Sequence, residues 1–346
     1  MGVVRGTAGR LGSALAAAAV PAPTALHHPI GLMHTAVRHR TPAELASLLT
    51  PFIHEALQVG DPVYVSLPPS SLTALEAELG RDADRVRWTD ATRWHPHPMR
   101  RLRAIRELVE GTERHGVGRL RLVGGCPMPP VAAMVPEWER FDALLNVALA
   151  GMPVTVVCIY DESALPADVV DRAPWSHPLV GLSPAERSSS YLEPERYLAH
   201  HRVPPVPVPA GAPSLSGKVT AAAARGFVRR ALARSSGERP PVPGDVVEDL
   251  ALAVTELVTN AWQAGARSVA VTCWRSTGEI GAQVDDDGPG LTDPLAGYRW
   301  PDPASERGRG LWLARQLVDV VDVVAGLPGT SVQARAFDAT WRQLAA

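Results

Sequence analysis

The sequence predicts two domains of mixed class: an N-terminal α/β domain with a doubly wound parallel sheet, then a C-terminal α+β sandwich. Three observations carry this. Short apolar runs alternate with helical patterns over about residues 26–200, the signature of strand–helix–strand units. A proline-rich run, VPPVPVPAGAPSLSG from Val203 to Gly217, follows. Beyond it, helical patterns group around alternating strand-like runs. At 346 residues and 46% hydrophobic, the chain has material for two cores.

In the first block the strand-like runs are Ile30–Val37, Pro62–Leu67, Val86–Thr89, Leu120–Gly124 and Val154–Tyr160, with Leu179–Leu182 a weaker sixth. Between the first two, Leu45, Leu48, Leu49, Phe52, Ile53 and Leu57 recur at helical spacing. Pro51 lies inside that helix and should kink it. Further helices are expected over Ser70–Leu79, Pro98–Arg114, Glu137–Leu149 and Pro166–Arg172. Parallel sheets bind ligands beyond the carboxyl ends of their strands. Those ends carry Ser66, Asp90, Gly124–Gly125–Cys126 and Tyr160–Asp161.

The alternating prolines of Val203–Gly217 favour extended polyproline II, which packs no core. Residues 201–217 therefore read as a linker and 218–346 as the second domain. Val219–Ala233 reads as a helix. GDVVEDLALAVTELVTNAWQAG reads as a second, with Asp245 as N-cap and Glu248 three residues on, a capping-box pattern. Ser268–Trp274 and Ile280–Val284 alternate like paired strands; Gly310–Val320 is helical; Val321–Ala325 and Thr330–Ala336 read as strands.

Composition excludes several classes. A net charge of −2 provides no global basic field for nucleic acid or anionic membrane. Lys218 is the only lysine, and no G-x-x-x-x-G-K-[ST] string exists, so there is no P-loop. Cys126, Cys158 and Cys273 are far apart and read as small apolar residues of a reducing compartment, neither a disulfide frame nor a zinc site. No run of 18 apolar residues spans a membrane. Residues 1–25, with Arg5 and Arg10 before an alanine-rich run, read as a disordered extension or an overlong start; a secretory signal is the alternative.

The candidate site residues lie in the second domain. Leu250, Val254, Leu257, Val258 and Ala261 form one apolar stripe; Asp249, Ala253, Glu256, Asn260 and Gln263 form another face. Glu256 and Asn260 stand one above the other at i and i+4. A solvated polar face is the rival reading. An Asn amide oxygen suits Mg²⁺ bridging phosphates, and a nearby Glu suits proton abstraction from an attacking hydroxyl. In VDDDGPG, Asp286 closes a strand, and Gly288 and Gly290 permit a tight turn. A carboxylate there can accept from an exocyclic amine such as that of adenine, while Asp285 and Asp287 are expected to face solvent. Gly308 and Gly310 precede a helix, where exposed amides and the helix dipole favour phosphate; Arg307 and Arg309 either help neutralise it or solvate a loop. Thr330 starts the last strand.

In this order, TELVTNAWQAG, VDDDGPG, RGRGLWLARQLVD and GTSV resemble the N, G1, G2 and G3 boxes of the GHKL ATPase superfamily, and within it the anti-sigma-factor serine/threonine kinases. The resemblance covers about residues 218–340. It implies a Bergerat fold holding ATP and Mg²⁺ under a mobile lid, here Leu291–Arg307. It implies Asn260 as Mg²⁺ ligand, Glu256 as general base, Asp286 as adenine reader, and Gly288, Gly290, Gly308 and Gly310 shaping the nucleotide site. One departure is visible: where these kinases often carry His, eight residues after the N-box Glu, this chain has Ala264.

In the first block, HHPIGLMHTAV, PFIHEALQVGDPVYVSLP, CIYDE and SHPLV resemble the MEDS sensory domain, over about residues 27–200. That resemblance implies a RecA-like module that senses a small ligand without nucleotide hydrolysis. His27, His28, His34 and His39 are dense, and His95 and His97 flank Pro96; spacing gives no support to a metal site, which stays open as the alternative to ordinary surface or core histidines. Trp88, Trp94, Trp138 and Trp175 read as core. The expectation is a cytoplasmic signalling protein with a sensor and a GHKL-type serine/threonine kinase acting on an anti-sigma antagonist or holding a sigma factor. A homodimer stays open; nucleic acid and membrane are not expected partners. The rivals are a sequestration module that binds ATP without transfer, and a histidine-kinase half. The second is disfavoured because no phosphoacceptor helical hairpin precedes Gly217; His200 and His201 sit beside the linker.

Overall fold

The computed structural model describes residues 31–91, 97–116, 118–125, 132–201, 204–233, 242–301, 308–325 and 329–337. The chain divides into two compact units, one running to Met128 and resuming at Trp138–Tyr197, the other formed by Leu198 onward together with Pro129–Glu137. His27, His28, Trp94, His95, Cys126 and Arg307 lie outside the described residues.

The first unit is built on a seven-stranded sheet. Its elements are β1 (Met33–His39), α1 (Pro42–Val59), β2 (Val63–Leu67), α2 (Pro69–Leu79), β3 (Arg87–Asp90), α3 (Pro98–Arg114), β4 (Leu120–Gly125), α4 (Val135–Ala148), β5 (Val154–Asp161), α5 (Ala167–Ser176), β6 (Leu179–Val180), β7 (Glu186–Arg187) and α6 (Pro194–His200). The strand order is β3-β2-β4-β5-β1-β6-β7, parallel except for the β6–β7 pair. The doubly wound α/β expectation holds, because helices cover both faces. On one face Leu45, Leu49, Ile53 and Leu57 of α1 and Leu75 and Leu79 of α2 pack on Val37, Val65, Val123 and Val157. On the other, Ile105 of α3 and Trp138, Phe141 and Leu145 of α4 face Leu122, Val156 and Cys158. Strand alternation sets this: in register, Leu122 sits beside Val156 and Val123 beside Val157, each pair on its own face. α1 starts where the Thr41 hydroxyl accepts from the Glu44 amide and stops at Gly60, whose φ of 81° is left-handed. Leu48, placed on the apolar stripe by spacing, is exposed.

The second unit is an α+β sandwich. Its elements are β8 (Ser214–Gly217), α7 (Ala221–Ala233), α8 (Gly244–Gln263), β9 (Val269–Ser276), β10 (Glu279–Asp286), α9 (Arg309–Leu317), β11 (Val320–Ala325) and β12 (Thr330–Phe337). The sheet order is β11-β12-β10-β9-β8, every pair antiparallel. Leu250, Val254, Leu257, Val258 and Ala261 of α8 are buried against Val271, Ile280, Ala282, Val284 and Ala334, with Val228 of α7 and Ala314 of α9 in the same core. The opposite sheet face is polar yet buried: Arg335 pairs with Asp322 at 3.0 Å and with Glu279 at 3.4 Å.

Two local expectations need correction. The run assigned to the linker is partly structured: Ser214–Gly217 is the edge strand β8, in register with Val269–Thr272. Before it, the Val206 backbone exchanges two hydrogen bonds with the Gln333 amide, at 3.0 and 2.7 Å. The prolines end at Pro213, so the four residues after them are free to pair. The capping box at Asp245 does not form. Pro243, with extended backbone, takes the N-cap place without a side-chain cap, which puts Asp245 inside the first turn. Glu248 instead accepts from Arg229 of α7 at 2.5 Å.

Candidate functional site

The last turns of α8 carry the first pair of site residues. Leu257, Val258 and Ala261 turn into the core, so Glu256 and Asn260 are left half-buried on the adjoining face. The helix end is anchored by the Trp262 indole, which donates to the Val219 carbonyl at 2.7 Å. Ala264 occupies the C-cap, its amide donating to the Asn260 carbonyl. A side chain at that position stands just past the helix, beside Asn260.

α9 supplies the second part. Gly308 is its N-cap, in the left-handed region at φ 83°, and no capping side chain accepts from the first-turn amides. Arg309 is exposed at the helix start and Gly310 is buried. A Cβ on Gly310 would stand 2.6 Å from Oδ1, 2.8 Å from Nδ2 and 3.0 Å from Cγ of Asn260. The Asn260 amide thus lies on the bare backbone of the α9 first turn, where N–H groups and the helix dipole favour an anion.

The triple carboxylate Asp285–Asp287 is resolved residue by residue. Asp286 Oδ1 accepts from the Gly288 amide at 2.8 Å, closing the turn after β10. The expectation that Asp285 and Asp287 are simply solvated is wrong. Both Asp285 oxygens accept from the Gln283 amide, at 2.9 Å each. Asp287 Oδ1 accepts from the backbone amides of Ser268 at 2.9 Å and Arg267 at 2.6 Å, which hold its carboxyl below the ordinary carboxylate range. Three like charges in a row are tolerated because alternation sends them to different donors. Gly290 has φ 83°. Across the ladder Asp286 is in register with Thr330, and Gly329 lies so close to the Asp286 carbonyl that any Cβ there would overlap it.

The structure therefore brings Asn260 to Gly310, and Asp286 to Gly288 and Thr330. The segment expected to act as a lid, Leu291–Arg307, is described as far as Pro301. That part is pinned to α9: Leu295 and Tyr298 are buried, and Gly297 packs so tightly on Leu311 that it has no room for a side chain. The Arg315 guanidinium stacks 3.7 Å from the Tyr298 ring centroid and donates to the Val321 carbonyl at 2.7 Å. Arg315 is missed by sequence reasoning, since its partners come from a separate segment and nothing in helix periodicity marks a buried cation.

In the first unit, His97 caps α3 by accepting from the Arg100 amide, and His39 is buried with Nδ1 3.2 Å from the Thr41 carbonyl. His34 is buried beside Cys158. Trp138 is core, as expected, stacked under the Arg101 guanidinium.

The second unit is thus a two-layer sandwich that gathers Asn260 with Gly310 and Asp286 with Gly288 and Thr330. Residues 218–336 match the histidine kinase-like ATPase domain family, which implies ATP binding, and residues 33–178 match MEDS, the methanogen/methylotroph, DcmR sensory domain family. The chain thus joins a MEDS domain at its N-terminal side to a histidine kinase-like ATPase domain. Among solved structures it is similar to the RsbU and RsbW domains of a Mycobacterium tuberculosis protein, at 20% identity over 36% of this chain and 32% of that one, with a TM-score of 0.26. It is also similar to the histidine kinase domain of a blue-light activated histidine kinase from Erythrobacter litoralis, at 23% identity over 35% and 63%, with a TM-score of 0.25. The chain spans about a third of the first of these and less than two thirds of the second. No curated protein matches it. Among the described residues, no helix is long and apolar enough to cross a membrane.

Proposed function

We propose that residues from β8 onward form a protein serine/threonine kinase of the GHKL type, which binds ATP with Mg²⁺ and phosphorylates an anti-sigma antagonist. The observation that carries this reading is the seating of the Asn260 amide on Gly310. It supports a site where a neutral oxygen ligand for Mg²⁺ adjoins a helix N-terminus suited to phosphate. The residues fit the group: Gly310 has no side chain to obstruct the approach, Gly308 adopts a backbone few other residues tolerate, and the Asp286 turn leaves Oδ2 for a donor such as the adenine amine.

Bound ATP supplies the electrophilic phosphoryl group, and Mg²⁺ spreads its charge. The protein does the rest. Asn260 would hold the metal; Gly308, Arg309 and Gly310 would receive the phosphates; Gly288, Gly290 and Thr330 would shape the base pocket around Asp286. Glu256, one turn before Asn260 and half-buried, accepts the proton of the attacking hydroxyl. The MEDS domain reads a small ligand and biases the kinase, in the cytoplasm, with an anti-sigma antagonist or sigma factor as partner and a homodimer as the open oligomeric alternative.

Labelled ATP incubated with the full chain and candidate antagonists tests this. Glu256→Gln should bind ATP as the wild type does and lose roughly 10²–10⁴ in transfer rate, the usual contribution of a positioned base. Transfer that persists at the wild-type rate in Glu256→Gln refutes the assignment.

A further inference from the structure

We propose that His34, Cys158 and His177 of the first unit form a buried site for one transition-metal ion of the Zn²⁺ or Cu⁺ class. One ligand atom from each lies within 4.8 Å of the others, and all three residues are buried. They come from three separate elements: His34 from β1, Cys158 from β5, and His177 from the residue after α5. Register places His34 and Cys158 on one sheet face, since His34 pairs with Val156 and Ala36 with Cys158.

The hydrogen bonds around the two rings point both Nε2 atoms inward. His34 Nδ1 is 3.0 Å from Asn146 Oδ1. The Asn146 amide cannot flip, because its Nδ2 donates to the Ser176 carbonyl at 2.8 Å and the Ala143 carbonyl at 3.2 Å. Its oxygen therefore faces the ring, Nδ1 carries the proton, and the Nε2 lone pair faces Cys158 Sγ at 3.3 Å. His177 Nδ1 is 2.7 Å from the Ala173 carbonyl, an acceptor only, so it too is protonated. His177 Nε2 is then a lone pair, wholly buried and without a hydrogen-bond partner among the described residues. Burying an unpaired acceptor is costly. Metal-ligating histidines show this same arrangement, with the distal N–H held by a carbonyl and the other nitrogen on the metal.

The ligand set chooses the metal class. Two imidazoles and a thiolate suit Zn²⁺ or Cu⁺ over Mg²⁺ or Ca²⁺. Binding forms three metal–ligand bonds and breaks the Cys158 S–H bond, releasing one proton. Asp142, whose Oδ1 is 3.8 Å from Sγ, is placed to receive it. A cavity of about 30 Å³ borders Cys158 and Asp142 on the side away from the two histidines, which do not line it. A buried metal centre inside a sensory domain would couple the availability of that metal to the domain's state.

The test uses the full-length chain, stripped with chelator under reducing conditions. Zn²⁺ and Cu⁺ are titrated separately against chromophoric chelators, and Co²⁺ is added as a spectroscopic probe. The expected result is one equivalent bound per chain, with a thiolate-to-cobalt charge-transfer band that Cys158→Ser abolishes. His177→Gln should weaken binding at least tenfold. Asn146→Leu, which removes only the acceptor behind His34, should weaken it 10- to 100-fold. Where Cys158→Ser fails to fold, the wild-type cobalt spectrum decides alone. Absence of the thiolate band, its persistence in Cys158→Ser, or affinity unchanged in His177→Gln overturns the proposal.

Discussion

Gly310→Ala separates the proposed nucleotide site from the fold. The added methyl would meet Asn260 Oδ1 at 2.6 Å and Nδ2 at 2.8 Å, well inside ordinary contact. What it meets is the far end of a side chain, which can rotate away. The cost to the fold is therefore small: mild overpacking, at the low end of roughly 1–3 kcal/mol, offset by the helix preference of Ala over Gly, about 1 kcal/mol. The Asn260 oxygen, however, must retreat by about 1 Å, and disturbing a group that positions a metal costs up to roughly 100-fold in affinity. Calorimetric titration with MgATP and a thermal melt of the same sample read both quantities. The expected outcome is a melting temperature within a few degrees of wild type and affinity reduced about a hundredfold. In an Asn260→Ala background the same substitution should change affinity little, since its route of action is gone. Gly310→Ala with wild-type fold and wild-type affinity, or an equal loss in the Asn260→Ala background, refutes the argument.

Two further outcomes follow from the structure. Asp142 is buried against Tyr160, which donates to it, and burial raises its carboxyl from 3.8 to about 7. The folded chain then holds a proton the unfolded chain has lost, so stability falls as pH rises from about 4 to about 7, by on the order of 4 kcal/mol in total. His34 acts oppositely: lowered from 6.5 to about 4, it makes stability rise over nearly the same window. Asp142→Asn should leave only the rising component, matching wild type near pH 4 and exceeding it by several kcal/mol at pH 8 in denaturant melts of chelator-treated protein; parallel curves would contradict the assignment. Separately, a fragment starting at residue 204 should unfold at higher denaturant than one starting at 218, because the shorter one loses β8 and the Val206–Gln333 bonds. Equal midpoints would mean those residues contribute nothing.

Much of the fold is legible in the sequence because burial enforces periodicity. Val154–Tyr160 and Pro98–Arg114 fall within a residue of the observed elements, the strand because it is one continuous apolar run buried on both faces and the helix because Leu102, Ile105 and Val109 recur at helical spacing. Boundaries governed by turn chemistry are less legible. Asp245 and Glu248 have the spacing of a capping box, yet Pro243 starts the helix earlier and Arg229 claims Glu248. Ser214–Gly217 lacks any strand signature, because an edge strand of four residues packs little and its pairing partner lies more than fifty residues on. Within the proposed nucleotide site, spacing is enough to put Glu256 and Asn260 on one face. The seating of Asn260 on Gly310 requires two helices to meet and cannot be read from either. The same limit hides His34, Cys158 and His177: each looks like core in its own segment, and only the sheet register and the turn after α5 gather them.

The central claim is a Mg²⁺-dependent ATP site centred on Asn260. Titrating ATP into the full chain by calorimetry, with and without Mg²⁺, in wild type and Asn260→Ala, tests it most directly. The account predicts one saturable site in wild type that weakens markedly without Mg²⁺, and an Asn260→Ala protein that stays folded by circular dichroism but binds at least about a hundredfold more weakly. Wild-type protein that binds no ATP, or Asn260→Ala protein that binds it with unchanged affinity and Mg²⁺ dependence, would contradict it.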